Sequence, residues 1–309
     1  MTGISLSATT ARRAQERSYR ELLASSVRQT LRRRRIVNFV MLGLTYVAAF
    51  AATVPLILIV WHLLKTGASS MSWRIFTEMP VAAGETGGGM ANAIAGTGML
   101  VLIASAIGLP VGIGAGLFLA EQGTAKVATT VRFLSDVLNG LPSIVLGIFA
   151  WQLLVKPFQH FSALSGGVAL AAMMIPLVAR TTEEMIRLVP VSMREAALAL
   201  GYTKWRTSLS IVLRTALPGI VTGALVAVAR IAGETAPLLF TALGNGFWSL
   251  SPTQPIAALP LQIYYYAISP YDDWHAKAWA GALVLLGLVL VISLAARFAT
   301  RSRFGVGGD

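Results

Sequence analysis

The chain has 309 residues, of which 55% are hydrophobic and only 12% are charged, a balance that soluble globular domains of this length do not show. It contains no cysteine, which excludes disulfides, thiol catalysis and cysteine-based metal sites. The net charge of +12 leaves nucleic-acid binding open by charge alone, but the order of the polar and apolar stretches favours a membrane protein.

Residues 1–35 are polar and carry nine arginines, four of them consecutive at positions 32–35. A long apolar run begins directly after them at Ile36. Positive charge in this place holds the start of a first membrane span in the cytoplasm. We therefore expect residues 1–35 to be an Arg-rich cytoplasmic segment and not a nucleic-acid site.

Six apolar runs follow, each close to or above the ~20 residues that a helix needs to cross a bilayer. They predict an all-α polytopic membrane protein, with residues 36–299 as one transmembrane domain and residues 300–309 as a cytoplasmic tail. The predicted spans are 36–64, 90–120, 137–155, 161–179, 211–239 and 278–296. The apolar stretch 255–268 is too short to cross, so it predicts a re-entrant or surface-lying helix.

The second run carries Gly108, Gly112 and Gly116 at a spacing of four residues. Small residues at this spacing let helices pack closely in lipid. No strand signal precedes these glycines and no acidic partner follows them, so a nucleotide-binding loop is not indicated.

The distribution of positive charge fixes the expected orientation. Of the 25 lysines and arginines, all but five lie in segments assigned to the inner side. The exceptions are Lys65, Arg74, Lys156 and Lys277 outside, and Arg230 within a span. This asymmetry predicts that both termini are cytoplasmic.

The stretch from Ser192 to Gly201 interrupts the later apolar runs on the inner side and predicts a short exposed helix. Ser192 and Glu195 have the spacing of a capping box at its start, and Gly201 is placed to end it. A rigid helix between two spans suggests a docking element for another protein.

Arg230 and Glu234 lie within the fifth predicted span, one helical turn apart. A charged residue in mid-membrane costs about 3 kcal/mol on insertion scales, so such residues are commonly functional. Either the two form a buried ion pair that fixes helix packing, or Arg230 faces an aqueous path and binds an anion, with Glu234 orienting it and the Thr235 hydroxyl nearby. Arg180, at the end of span four, is either a second anion contact or a side chain that extends to the interface.

Catalytic and phosphate-cradling motifs are missing from the sequence. The chain is therefore not expected to be an enzyme or to bind a metal or cofactor. If it pumps a solute, the energy must come from elsewhere.

The inner stretch, residues 181–213, resembles the EAA loop of ABC-importer permeases. The resemblance is carried by Glu195, Ala196 and Ala197, then Gly201, then Ile211-x-Leu213. In that family the short helix docks in a cleft of the ATPase subunit. Arg214 stands where the family has a proline, and Pro218 follows four residues later.

A second resemblance, to the A-type permeases of phosphate-specific transport systems (PstA), runs from about Ile36 to Arg297. Its most discriminating part is the segment 229–242, which contains Gly233-Glu234-Thr235-Ala236-Pro237; the segments 88–97, 180–183 and 279–281 are also similar. It implies a type-I ABC importer permease fold in the bacterial inner membrane. The implied partners are a second, C-type permease, two copies of an ATPase that uses the ATP, and a periplasmic phosphate-binding protein.

Two other functions remain open from the residues themselves. The first is a permease of the same architecture for another oxyanion, such as sulfate or molybdate. The second is a secondary transporter or membrane anchor that needs no ATPase.

Overall fold

The computed structural model describes residues 4–85, 87–121 and 126–303, and the side chains of residues 33–85, 87–121 and 126–294. Within these ranges most of the chain is helical. The longer helices are α1 (Ile4–Ser69), α3 (Ala91–Glu121), α4 (Lys126–Gly140), α7 (Ala163–Arg187), α10 (Leu213–Ala232) and α13 (Asp272–Arg303). The shorter ones are α2 (Arg74–Thr77), α5 (Ser143–Ala150), α6 (Lys156–Phe158), α8 (Val191–Ala199), α9 (Lys204–Thr207), α11 (Ala236–Thr241) and α12 (Leu259–Ala267), with π-helical turns at Trp151–Val155 and Ser208–Val212.

The chain divides into two compact units, Met1–His62 and Leu63–Asp309. The described residues of the first unit, 4–62, are a single stretch of α1. It runs through position 35 without a break, so the predicted boundary at that position is not a boundary of secondary structure. From Ile36 onward its large apolar side chains are exposed, as expected of a helix that is surrounded by lipid.

Among the described residues, five helical stretches are long and apolar enough to cross a membrane, and a bent pair makes a sixth candidate. The five are Arg33–Ser69, Ala91–Glu121, Ala163–Arg187, Lys204–Ala232 and Asp272–Leu294. The all-α fold with up to six spans is therefore confirmed. The predicted tail, residues 300–309, is helical as far as Arg303, and its remainder lies outside the described residues.

The third predicted span is wrong in shape. Residues 137–155 were predicted as a single span, but α4 already begins at Lys126, and the chain bends by 105° between Gly140 and Ser143. Pro142 explains the bend, because its ring disfavours the helical conformation of Leu141. Pro142 itself is extended, with φ −58° and ψ 135°, and caps α5.

The ends of the fourth and fifth spans also differ from the prediction. α7 continues eight residues past the predicted end, to Arg187, because hydropathy marks the lipid-facing length and not the helical length. The fifth span begins at Lys204, passes through Arg214 and Pro218 without a break, and ends at Ala232. The residues after Ala232 form the separate helix α11.

α7 is the most buried of the candidate spans, and small residues bring its neighbours close. A Cβ on Gly112 would lie 2.7 Å from Val178 Cβ, and one on Gly116 would lie 2.5 Å from the Ala179 carbonyl oxygen. These contacts confirm that the glycine series packs α3 against α7. On another side of α7, a Cβ on Gly223 of α10 would lie 2.7 Å from Thr181 Oγ1.

The short apolar stretch near residue 260 forms α12, whose nine residues cannot span a bilayer, as predicted. α12 packs against α13. Its first amide, that of Leu259, donates to Thr97 Oγ1 of α3 at 2.8 Å. The loop before α12 supplies the carbonyls of Pro252 and Gln254 to the free amides at the start of α7.

Candidate functional site

The start of α8 differs from the prediction. The helix begins at Val191 with Pro190 as its N-cap, and no side chain caps it. Ser192 therefore lies within the first turn, so the predicted capping box between Ser192 and Glu195 is wrong. Pro190 begins the helix instead, because its extended conformation, φ −56° and ψ 139°, is that of an N-cap residue.

The end of α8 is as predicted. Gly201 has a φ of +83°, which a residue with a side chain rarely adopts. Its amide donates to the Leu198 carbonyl and the Tyr202 amide donates to the Ala197 carbonyl. These two bonds form a Schellman motif, which stops the helix after Ala199.

The predicted docking residues on α8 separate into two groups. Glu195 and Ala196 are exposed, and Glu195 has no hydrogen bond or ion pair with any other residue in the part of the chain that the structure describes. Ala197, in contrast, is only 2% exposed and belongs to the interior. The free face of α8 therefore presents Glu195 and Ala196, while Ala197 holds the helix against the rest of the chain.

Arg194 connects α8 to two longer helices. Its Nη1 lies 2.7 Å from Glu121 Oε1 at the end of α3, and its Nη2 donates to the Ile186 carbonyl of α7 at 3.2 Å. Sequence reasoning assigned this arginine to the general positive charge of the inner side and missed the contact. No local pattern indicates it, since Glu121 lies 73 residues earlier in the chain.

Glu183 is the centre of a second charged group. The residue is only 3% exposed, and its Oε1 lies 2.8 Å from Arg132 Nε and 2.6 Å from Arg187 Nη2. Arg132 also donates from Nη2 to the Leu119 carbonyl of α3 at 2.8 Å. Glu183 therefore ties α4 to α7 close to the end of α3.

Arg230 and Glu234 flank the break after α10. Arg230 Nε lies 3.8 Å from Glu234 Oε1, and the side chains are 54% and 19% exposed. The separation exceeds hydrogen-bond distance, and the guanidinium is not buried in this chain. These two facts do not fit a buried ion pair, so Arg230 remains available to another group.

The helix break lies beside these two residues. α10 ends at Ala232, and Gly233 and Glu234 donate their amides to carbonyls of the last turn. Thr235 is the N-cap of α11, with Pro237 in its first turn, where the missing amide has no cost. The helix therefore breaks just before Pro237.

Arg180 is not brought to the same place as Arg230. Its Nε binds Glu184 Oε1 at 2.9 Å, one turn further along α7, and both side chains are about half exposed. Gly223 faces Thr181 across the α7–α10 contact. Arg230 lies seven residues beyond Gly223, which is about 10 Å farther along α10.

No group of three or more histidine, aspartate or glutamate side chains with metal-binding geometry occurs in the described ranges. The groups found here are suited to holding an anion and to joining helices. They include no candidate nucleophile paired with a base.

Comparison with known proteins gives three findings. Residues 112–304 match the family described as binding-protein-dependent transport system inner membrane component. The chain is 49% identical to the phosphate transport system permease protein PstA of Yersinia pestis over 77% of this chain and 82% of that protein. It is 46% identical to the protein of the same name from Xylella fastidiosa, over 89% of this chain and 96% of the relative.

Solved structures support the fold. An inward-facing MetNI methionine ABC transporter aligns with a TM-score of 0.55 and 23% identity, covering 68% of this chain and 92% of the matched chain. An amino acid ABC transporter aligns with a TM-score of 0.52 and 18% identity, over 69% of this chain and 92% of the matched chain.

Proposed function

Because the chain belongs to the family of binding-protein-dependent transport system inner membrane components, and within it to the PstA phosphate permeases, we infer that it carries inorganic phosphate across the inner membrane. It is the transmembrane permease subunit of an ATP-driven importer, and it works with an ATPase and a substrate-binding protein. The 49% identity to a phosphate permease over most of both chains carries this conclusion. It favours phosphate over sulfate or molybdate.

The finer organisation is a proposal. The partners are a second, C-type permease, two copies of the ATPase and a periplasmic phosphate-binding protein. ATP is bound and hydrolysed in the ATPase subunit, and this chain itself holds no cofactor. Both termini lie in the cytoplasm, in agreement with the positive charge of the inner segments.

α8 is proposed as the element that docks on the ATPase. Its exposed residues Glu195 and Ala196 form the contact. The buried Ala197 packs the helix against the rest of the chain, and Gly201 ends it. The absence of a partner for Glu195 among the described residues supports this role, since an exposed carboxylate is free to bind a basic group of another subunit. Closure of the ATPase dimer then displaces α8.

Arg230 is proposed as an anion contact in the translocation path. A half-exposed guanidinium in a membrane span has to face water or protein, because exposure to lipid costs about 3 kcal/mol. Its loose contact with Glu234 leaves donors free for a phosphate oxygen, and the broken helix at Thr235 places further polar groups nearby. Arg180, already paired with Glu184, is assigned to the wall of the inner part of the path.

The mechanism that follows is alternating access. Displacement of α8 tilts the spans around α7 and opens the path outward, and the binding protein releases phosphate toward Arg230. Release on the inner side follows when the ATPase dimer reopens.

The test is ATP-dependent uptake of radiolabelled phosphate by the complete reconstituted complex. Arg230→Gln removes the charge. It is expected to lower uptake about tenfold, because one charge-assisted hydrogen bond to the phosphate is lost. Arg214→Gln is the matched control, because it changes another exposed arginine of the same helix, and we expect normal uptake. Loss of the Arg230→Gln protein from the membrane, or unchanged uptake, would contradict the proposed role.

Substrate and energy source are tested in the same vesicles. Unlabelled phosphate is expected to compete with the label while sulfate and molybdate do not. Uptake that follows an ion gradient in the absence of ATP would instead favour a secondary transporter.

A further inference from the structure

Two arginines from different elements hold the same pair of helices. Arg132 of α4 binds the Leu119 carbonyl of α3 and Glu183 of α7. Arg194 of α8 binds Glu121 of α3 and the Ile186 carbonyl of α7. Each guanidinium thus bridges the inner ends of α3 and α7, where the two helices also pack closely through Gly112 and Gly116.

The contact of Arg194 is suited to transmitting force. The side chains of Arg194 and Glu121 are 24% and 29% exposed, so salt screens their attraction less than it screens a fully exposed pair. The planar guanidinium fork can hold two acceptors at once in a fixed geometry. The neighbouring residue, Glu195, points to the exposed side of the same helix.

A helix that only docks does not need this connection. α8 already follows α7 in the chain through three residues, Leu188, Val189 and Pro190. α3, in contrast, is distant in the sequence. Arg194 joins α8 to Glu121, the last residue of α3. A displacement of α8 therefore reaches both members of the α3–α7 pair.

We propose that Arg194 is a positioning residue that transmits the movement of α8 to α3 through its ion pair with Glu121. Coupling of ATP hydrolysis to phosphate transport then depends on this pair, while ATPase docking does not. The inference rests on the proposed docking role of α8. It assigns the two functions to different faces of the same helix, with Glu195 and Ala196 for docking and Arg194 for transmission.

The experiment measures phosphate transported per ATP hydrolysed in the reconstituted complex, together with the amount of ATPase that co-purifies. Arg194→Ala and Glu121→Gln are each expected to lower the ratio about tenfold, because each removes a charge-assisted hydrogen bond. The amount of bound ATPase should not change. Arg206→Ala is the control. Arg206 is a nearby arginine whose guanidinium lies over the Tyr202 ring at 5.2 Å, and among the described residues it forms no ion pair with α3.

A cross-link tests the connection itself. The chain has no cysteine, so the double variant Glu121→Cys with Arg194→Cys can be bridged selectively by a bismaleimide of matching length. We expect the unbridged double variant to be uncoupled and the bridged one to regain most of the ratio. Failure of the bridge to raise the ratio would contradict transmission through this pair.

The remaining outcomes are also decisive. A ratio equal to that of Arg206→Ala, or a parallel loss of bound ATPase, overturns the proposal. If Arg194→Ala does not accumulate in the membrane, Glu121→Gln decides, since a lowered ratio supports the proposal and a normal ratio overturns it. If neither variant accumulates, the pair serves folding and the proposal fails.

Failure of the docking role is seen separately. A bulky substitution at the exposed Ala196 changes the docking face without touching Arg194. If that variant retains all its ATPase, the docking proposal is wrong whatever the Arg194 variants show.

Discussion

At the scale of single residues, the start of α8 changes how Glu195 can be tested. A capping box would give this carboxylate a structural role as well as a docking role, and a substitution would then affect both. With Pro190 as the N-cap, Glu195 is not needed to begin the helix. A charge reversal, Glu195→Lys, therefore reports on docking without also removing a cap.

The neighbouring alanines allow a sharper test. Ala196→Tyr places a large side chain on the exposed face, and we expect normal accumulation with at least a severalfold loss of bound ATPase. Ala197→Leu is the contrasting change, because it overfills a buried position and should cost about 1–3 kcal/mol of stability. The measurements are the ATPase that co-purifies and the thermal unfolding midpoint of the solubilised subunit.

If both alanine variants lost the same amount of ATPase and neither changed in stability, the assignment of Ala197 to the interior would be contradicted.

Arg230 shows in a second way that exposure decides the role of a side chain. Its place in a span left two roles open, a buried ion pair with Glu234 or an anion contact. Only the 3.8 Å separation of the two side chains and the exposure of Arg230 favour an available guanidinium.

At the scale of helices, the contact between α3 and α7 organises the second unit. The contact depends on glycines because their lack of a side chain lets the backbones approach. α10 uses the same device on another side of α7. This arrangement makes α7 the centre of the bundle, and its last turns carry the charged group of Glu183 and Arg187, which Arg132 joins.

The glycine contact predicts a difference between two nearby glycines of α3, Gly116 and Gly114. Gly116→Ala adds a Cβ that would lie 2.5 Å from the Ala179 carbonyl oxygen, whereas Gly114→Ala adds one with nothing within 4 Å. We expect Gly116→Ala to lower the thermal midpoint and membrane accumulation. Gly114→Ala should be neutral or slightly stabilising, because alanine favours the helix by about 1 kcal/mol over glycine.

If both glycine variants had the same thermal midpoint, close packing at Gly116 would not contribute to stability.

The bent pair α4–α5 was predicted as a single span. Its residues are apolar enough to be taken for a straight span, and the bend arises from a single proline, Pro142, that hydropathy does not register.

At the scale of the whole molecule, the orientation in the membrane can be tested directly. Because the chain has no cysteine, single cysteines introduced at the exposed Phe247 and Leu200 are unique labelling sites. With the chain expressed without its ATPase, a membrane-impermeant maleimide should label Phe247→Cys in intact spheroplasts. It should label Leu200→Cys only in inverted vesicles.

Labelling on the opposite sides would invert the proposed topology and remove α8 from the reach of a cytoplasmic ATPase. Labelling as predicted would instead place the loop that contains Phe247 on the side of the binding protein. It would also place Arg132, Arg187 and Arg194 together at the inner end of the bundle, where the proposed transmission occurs.

The sequence by itself determined the class of the protein, the order of its spans and the position of α8. These properties depend on local patterns, since apolar runs, small-residue spacing and a helix-stopping glycine act within a few residues. The motif around Glu234 and Thr235 likewise allowed the family to be recognised before any contact was known.

Only the tertiary structure decided which side chains meet. The pairing of Arg194 with Glu121, the burial of Glu183 between two arginines and the separation of Ala196 from Ala197 all depend on helices that are distant in the chain. The partners are selected by packing, because charge and size at one position do not specify which remote residue will lie within a few ångströms. For this reason the position of the short helix α8 was predictable, and its connection to α3 was not.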